Sequence, residues 1–93
     1  MTVHFWIPGA LRSMTGGRGR VDVEISGATL QDALAALFAA HPGIRDRVLT
    51  EQGEIRQHVN VFVGKNETRS TGGLATLLAD GTEISILPAI SGG

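Results

Sequence analysis

Cysteine is absent from the 93 residues, lysine occurs once (Lys65), and the chain holds one tryptophan. Without cysteine there is no disulfide, no thiolate metal ligand and no thiol nucleophile, so stability must come from packing. No apolar stretch approaches the ~20 residues that span a bilayer, and the start Met1-Thr2-Val3-His4 lacks the basic opening of a secretory signal. The expectation is a soluble, cytoplasmic protein with no membrane partner. Neither sign of charge dominates: 8 Lys+Arg face 9 Asp+Glu, for a formal net charge of −1. The cations are spread from Arg12 to Arg69 with no basic run, which argues against nucleic acid as a partner. There are no internal repeats, low-complexity tracts or long linkers. A chain of this length suits one domain, with a single helix layer against one sheet.

Catalytic patterns are missing too. His4, His41 and His58 are far apart in sequence and none sits at metal-ligand spacing with carboxylates, so no metal site is expected. His41 falls in the last turn of the helix read below, where the helix dipole favours positive charge, a structural role. No nucleophile-elbow pattern occurs, and no catalytic residue is expected. The run Thr15-Gly16-Gly17-Arg18-Gly19-Arg20 matches neither glycine-rich phosphate fingerprint and reads as a hairpin loop, flexible at its tip. Ser70-Thr71-Gly72-Gly73 reads as a capped turn before Leu74.

What is present is clear periodicity. Thr2 to Ile7 is β-branched and aromatic and stops at Pro8-Gly9, as a strand does. Arg20 to Ile25 alternates polar and apolar at period two, a strand with one buried face. Leu30, Ala33, Leu34, Leu37, Phe38 and His41 recur at helical spacing behind Thr29 and Asp32, a capping box with Asp in place of Glu. Pro42-Gly43 closes that helix. An irregular turn over Ile44 to Leu49 and an exposed loop over Thr50 to Glu54 follow. His58 to Val63 alternates again, a short strand is expected over Glu67 to Arg69, and Asp80-Gly81 turns the chain into a last strand over Glu83 to Leu87. A hairpin, one crossing helix and further strands give an α+β fold of the β-grasp (ubiquitin-like) type. It is a mixed sheet of four to five strands with one main helix packed on one face. The domain is read as residues 1–88, leaving 89–93 as a flexible tail ending in Gly92-Gly93.

One helix covers only one face of a sheet. If Val3, Phe5, Ile7, Val59, Val61, Val63, Ile84 and Ile86 face it, alternation sends His4, Trp6, Asn60, Phe62, Ser85 and Leu87 to the other side. Three of those six are large and apolar, so Trp6, Phe62 and Leu87 are the candidate partner-binding surface. The tail is the second candidate site. Two glycines place no Cβ at its tip, so it is able to thread a narrow channel and present the Gly93 carboxylate to a nucleotide bound by another protein. Adenylation would make that carboxylate an electrophile for a sulfur or nitrogen nucleophile.

The run from Leu74 through Asp80-Gly81-Thr82-Glu83-Ile84 to Gly92-Gly93 resembles the ending of the ubiquitin-like sulfur carriers of the MoaD/ThiS family, and the resemblance extends over essentially the whole chain. Pro8 to Arg12 with Thr15-Gly16-Gly17, the Val59 to Val63 strand, and Thr71-Gly72-Gly73-Leu74-Ala75-Thr76 are most similar to its branch serving thiocarboxylate-dependent cysteine biosynthesis. The resemblance implies that Gly93 is adenylated by a ubiquitin-activator-like adenylating and sulfurtransferase enzyme and converted to a thiocarboxylate, with Gly92 keeping the tail slender. In the cysteine pathway the acceptor is a cysteine synthase-like, pyridoxal phosphate-dependent enzyme, and a processing metalloprotease later cleaves the carrier–cysteine adduct. ATP and pyridoxal phosphate are therefore cofactors of partners; none is expected on this chain, which acts as a non-enzymatic co-substrate. The resemblance implies docking of the activating and acceptor enzymes through the open sheet face, with Leu87 close to the tail. Arg12 and Arg69 are further candidates for meeting a partner's acidic rim. Other roles implied are the small subunit of molybdopterin synthase, beside its large subunit, and sulfur donation to thiamine, thionucleosides or a specialised metabolite. A ubiquitin-like protein modifier and a plain binding module remain open.

Overall fold

Alternation at period two builds the sheet. A computed structural model describes residues 1–88, in which β1 (Thr2–Trp6) and β2 (Arg20–Glu24) bury every second side chain. β1 pairs antiparallel with β2 and parallel with β5 (Glu83–Pro88). β5 pairs antiparallel with β3 (Val59–Val63), which carries the two-residue β4 (Asn66–Glu67) at the far edge. The strand order is β2-β1-β5-β3-β4. Two parallel strands need a crossover between them, and α1 (Leu30–Ala40) makes it across one face of the sheet. This is the mixed β-grasp sheet expected from the sequence. The tail read over 89–93, with Gly92 and Gly93, lies outside the described residues.

The helix starts where its cap permits. Thr29 accepts from the backbone N–H of Asp32, while the Asp32 carboxylate accepts from the backbone N–H of Thr29 at 3.2 Å, so two otherwise orphaned donors are satisfied. Leu30, Ala33, Leu34 and Leu37 then face the sheet and meet Val3, Phe5, Ile84 and Ile86. Fully burying a side chain such as Phe5 contributes about 1.5–3 kcal/mol. The helix ends at Ala40. His41 is its C-cap, with φ −136°, rather than a residue of its last turn. The stretch after it is more regular than expected: a 3-10 turn over Pro42–Ile44 leads into α2 (Arg45–Val48), with Ile44 and Val48 fully buried.

Three other expectations are corrected. The β1–β2 connection is no open loop: Gly9–Thr15 forms a 3-10 helix. Its Leu11 and Met14 pack against the core, and the buried Thr15 hydroxyl reaches the carbonyls of Arg12 at 3.1 Å and Arg18 at 2.7 Å. Only the short turn at Gly16 and Gly17, both with positive φ, matches the hairpin tip. The strand expected over Glu67 to Arg69 occupies Asn66–Glu67 instead, and Thr68–Ser70 turns away as a 3-10 helix with Thr68 buried. The 3-10 turn at Gly73–Ala75 has no side-chain cap; Gly72 enters it at φ 112°, which glycine alone adopts readily. The Asp80-Gly81 turn is present and is bound to β1. Thr2 donates to the Asp80 carboxylate at 2.8 Å, and Gly81 donates to the Thr2 carbonyl at 2.7 Å. No helix among the described residues is long and apolar enough to cross a membrane.

Candidate functional site

On the uncovered face the outward residues of five strands stand in register. Trp6 lies opposite Arg20 on β2 and beside Ser85 on β5. Ser85 lies opposite Phe62 on β3, and Phe62 opposite Glu67 on β4. One row, Arg20, Trp6, Ser85, Phe62, Glu67, therefore crosses the sheet. With strands about 4.8 Å apart, Trp6 and Phe62 stand roughly 10 Å from each other across the small serine. Leu87, the next outward residue of β5, faces Asn60. Trp6 is 42% and Leu87 45% exposed, while Phe62 is half-buried. The structure thus brings the three apolar candidates onto one face, and Trp6, Ser85 and Leu87 share the wall of a shallow cleft of about 180 Å³.

Charged neighbours hold this patch in place. The Trp6 indole N–H donates to the Glu83 carboxylate at 2.9 Å, and the Arg20 guanidinium lies 5.6 Å from the centre of the indole ring. A cation so placed at an exposed site stabilises by about 0.5–1 kcal/mol. Arg20 also donates to Asp22 at 3.0 Å, and Asp22 meets Nδ1 of His4 at 2.7 Å. The hydrogen bond from His4, then that from Arg20, holds the Asp22 carboxyl below its ordinary range. His4 therefore has a carboxylate neighbour that spacing along the chain did not reveal, because β1 and β2 supply one partner each. No group of three His, Cys, Asp or Glu able to hold a metal occurs among the described residues.

The two arginine candidates part company. Arg69 is committed inside the molecule: its guanidinium reaches Asn60 at 2.7 Å, Glu67 at 2.9 Å, and the carbonyls of Val59 at 2.8 Å and Arg56 at 2.9 Å. Arg12 lines the cleft beside Trp6 and Leu87. Arg20 and Glu83 went unnoticed in the sequence as parts of this face. Parity along each strand names the outward set, but only the cross-strand register shows which residues are neighbours. The uncovered face thus carries an apolar patch ringed by charge.

Comparison with known proteins adds three kinds of match. A family model described as the ThiS family matches residues 5–93. Sulfur carrier protein CysO of Mycobacterium tuberculosis is 40% identical over 95 aligned positions, covering 100% of both chains. Small archaeal modifier protein 1 of Haloferax volcanii is 42% identical over 84 residues, 89% of this chain and 91% of its own. Among solved structures, a chain of the Amycolatopsis orientalis BexX/CysO complex superposes with a TM-score of 0.86 at 36% identity, covering 98% of this chain and 99% of that one.

Proposed function

The chain belongs to the ThiS family, and from that premise we propose that it is a sulfur carrier whose Gly93 carboxylate is activated and converted to a thiocarboxylate. The observation that carries this reading is the end-to-end match to a sulfur carrier at 40% identity. A carboxylate is a poor electrophile. On an adenylating partner, the Gly93 carboxylate oxygen attacks the α-phosphorus of ATP, an acyl adenylate forms and pyrophosphate leaves. Hydrosulfide then attacks the acyl carbon, AMP leaves with the bonding pair, and the thiocarboxylate remains. The chain contributes the carboxylate, the side-chain-free Gly92-Gly93 that a narrow channel admits, and a docking face built on Trp6, Phe62 and Leu87. ATP is bound by the partner.

The acceptor in this reading is a cysteine synthase-like enzyme using pyridoxal phosphate, and a metalloprotease then releases cysteine from the carrier. The likeness to CysO supports that assignment, and the likeness to a chain of the BexX/CysO complex supports docking on an acceptor synthase. Cytoplasmic enzymes of this kind place the carrier in the same compartment. A second reading has its own support: the 42% identity with an archaeal modifier protein favours isopeptide formation through the same activated Gly93. Lys65 is the one lysine of the chain, which makes self-conjugation a poor outcome.

Exchange of labelled pyrophosphate into ATP by the host's adenylating enzyme tests the activation step. Exchange that requires this chain and disappears when Gly93 is deleted is expected. Exchange that persists with the deleted form contradicts the assignment of Gly93.

A further inference from the structure

Arg12 makes one side-chain hydrogen bond among the described residues: its Nε donates to the Ile7 carbonyl at 3.1 Å. The guanidinium lies close against Gly19. A Cβ built at Gly19 would stand 3.0 Å from Nε and 3.1 Å from Cζ and Nη2, closer than ordinary packing allows. Gly19 has no positive φ, so a side chain there would meet no backbone strain and would instead displace the Arg12 guanidinium by a few tenths of an ångström. Arg12 and Gly19 both line the cleft formed with Trp6, Pro8, Ser85 and Leu87. That cleft adjoins Pro88, where β5 ends and the run to Gly93 begins. No ion pair involves Arg12 among the described residues, whereas Arg20 and Arg69 each have a carboxylate partner.

An exposed cation anchored at Nε, without an ion-pair partner among the described residues and set at the base of the tail, is arranged to receive an anion from outside. Two sources offer one: a carboxylate side chain on the docking partner, or the nucleotide phosphates. Reach separates them. Five residues extended span at most about 17 Å, so a tail threaded into a channel carries its carboxylate, and the phosphates it meets, well away from Arg12. We infer that Arg12, packed against Gly19, pairs with an acidic side chain on the adenylating partner at the mouth of the channel that takes the tail. It is a specificity residue for docking and takes no part in the chemistry. The inference rests on the activation proposed above.

Pyrophosphate release by the host's adenylating enzyme, followed against carrier concentration and against ATP at several salt concentrations, tests it. Arg12→Gln should raise the KM for carrier about tenfold, leave kcat within about twofold and flatten the salt dependence. Gly19→Ala keeps the charge but displaces the guanidinium, and should raise the same KM severalfold. It also carries the test should Arg12→Gln fail to fold, because the atoms it crowds are the movable end of a side chain. Arg18→Gln, an exposed charge in the adjoining loop, controls for bulk electrostatics and should change nothing. Carrier KM within twofold of wild type for both Arg12→Gln and Gly19→Ala overturns the inference, as does a rise in the KM for ATP in place of that for carrier. No release with the unaltered chain and a demonstrably active enzyme instead contradicts the proposed function.

Discussion

Replacing Arg69 with alanine should destabilise the domain while leaving Trp6, Phe62 and Leu87 in place. The Arg69 guanidinium ties three segments together: the approach to β3 through the Arg56 carbonyl, β3 itself through the Val59 carbonyl and Asn60, and β4 through Glu67. A hydrogen bond from a charged donor contributes about 1.5–3 kcal/mol where dry, and an exposed ion pair about 0–1. The side chain is 41% exposed, so each contact falls toward the lower end and the whole comes to about 2 kcal/mol. For a domain of this length the entropy of unfolding is near 0.2 kcal/mol per kelvin, which turns that loss into a fall of about 10 °C in Tm. Calorimetry and urea titration both read it. Arg69→Lys should recover less than half, since one ammonium cannot reach both sides of the fork. Adenylation kinetics of Arg69→Ala well below its Tm should match the unaltered chain. A Tm within about 3 °C of the original would refute the reasoning from geometry, and a raised KM for carrier would return Arg69 to the docking surface.

Thr29→Ala removes the cap of α1 and should cost about 1 kcal/mol in a denaturant titration. Hydrogen bonds from the Thr29 hydroxyl and backbone hold the Asp32 carboxyl below its ordinary 3.8, so their stabilisation is present above that pH and lost as pH falls through the lower folded value. Asp32→Asn should therefore flatten the acid limb of a Tm-against-pH curve; an unaltered limb would contradict this. Glu83→Ala deprives the Trp6 indole of its acceptor, and the single tryptophan reports the change directly as lower fluorescence anisotropy and red-shifted emission. Unchanged emission and anisotropy would show that Glu83 does not hold the ring. Phe5→Ala empties the centre of the core, where Phe5 is fully buried, and should cost about 3–5 kcal/mol, a large part of the total stability of a small domain.

Much of this architecture is written locally. The Arg20 to Glu24 alternation and the Thr29-Asp32 box act within a few residues, so the strand and the helix start are legible before any contact is known. The outward set Trp6, Phe62 and Leu87 follows from parity once one face is assigned to the helix. Short 3-10 segments are less visible, because three to seven residues show no sustained period: Leu11 and Met14 disclose the Gly9–Thr15 turn only by packing on the core. Least legible are the contacts between distant strands. Trp6 with Glu83, Arg20 over the indole, and His4 with Asp22 depend on register, and the internal role of Arg69 depends on three segments meeting. Arg12 and Gly19 gain their meaning from a close approach that no spacing announces.

Sulfur carriage through Gly93 is tested most directly by the intact mass of the chain after incubation with its adenylating enzyme, ATP and a sulfide source, beside a form lacking Gly93. The account predicts a gain equal to replacement of one oxygen by sulfur, absent from the shortened form. An unchanged mass, with an enzyme shown to be active on another carrier, would contradict it.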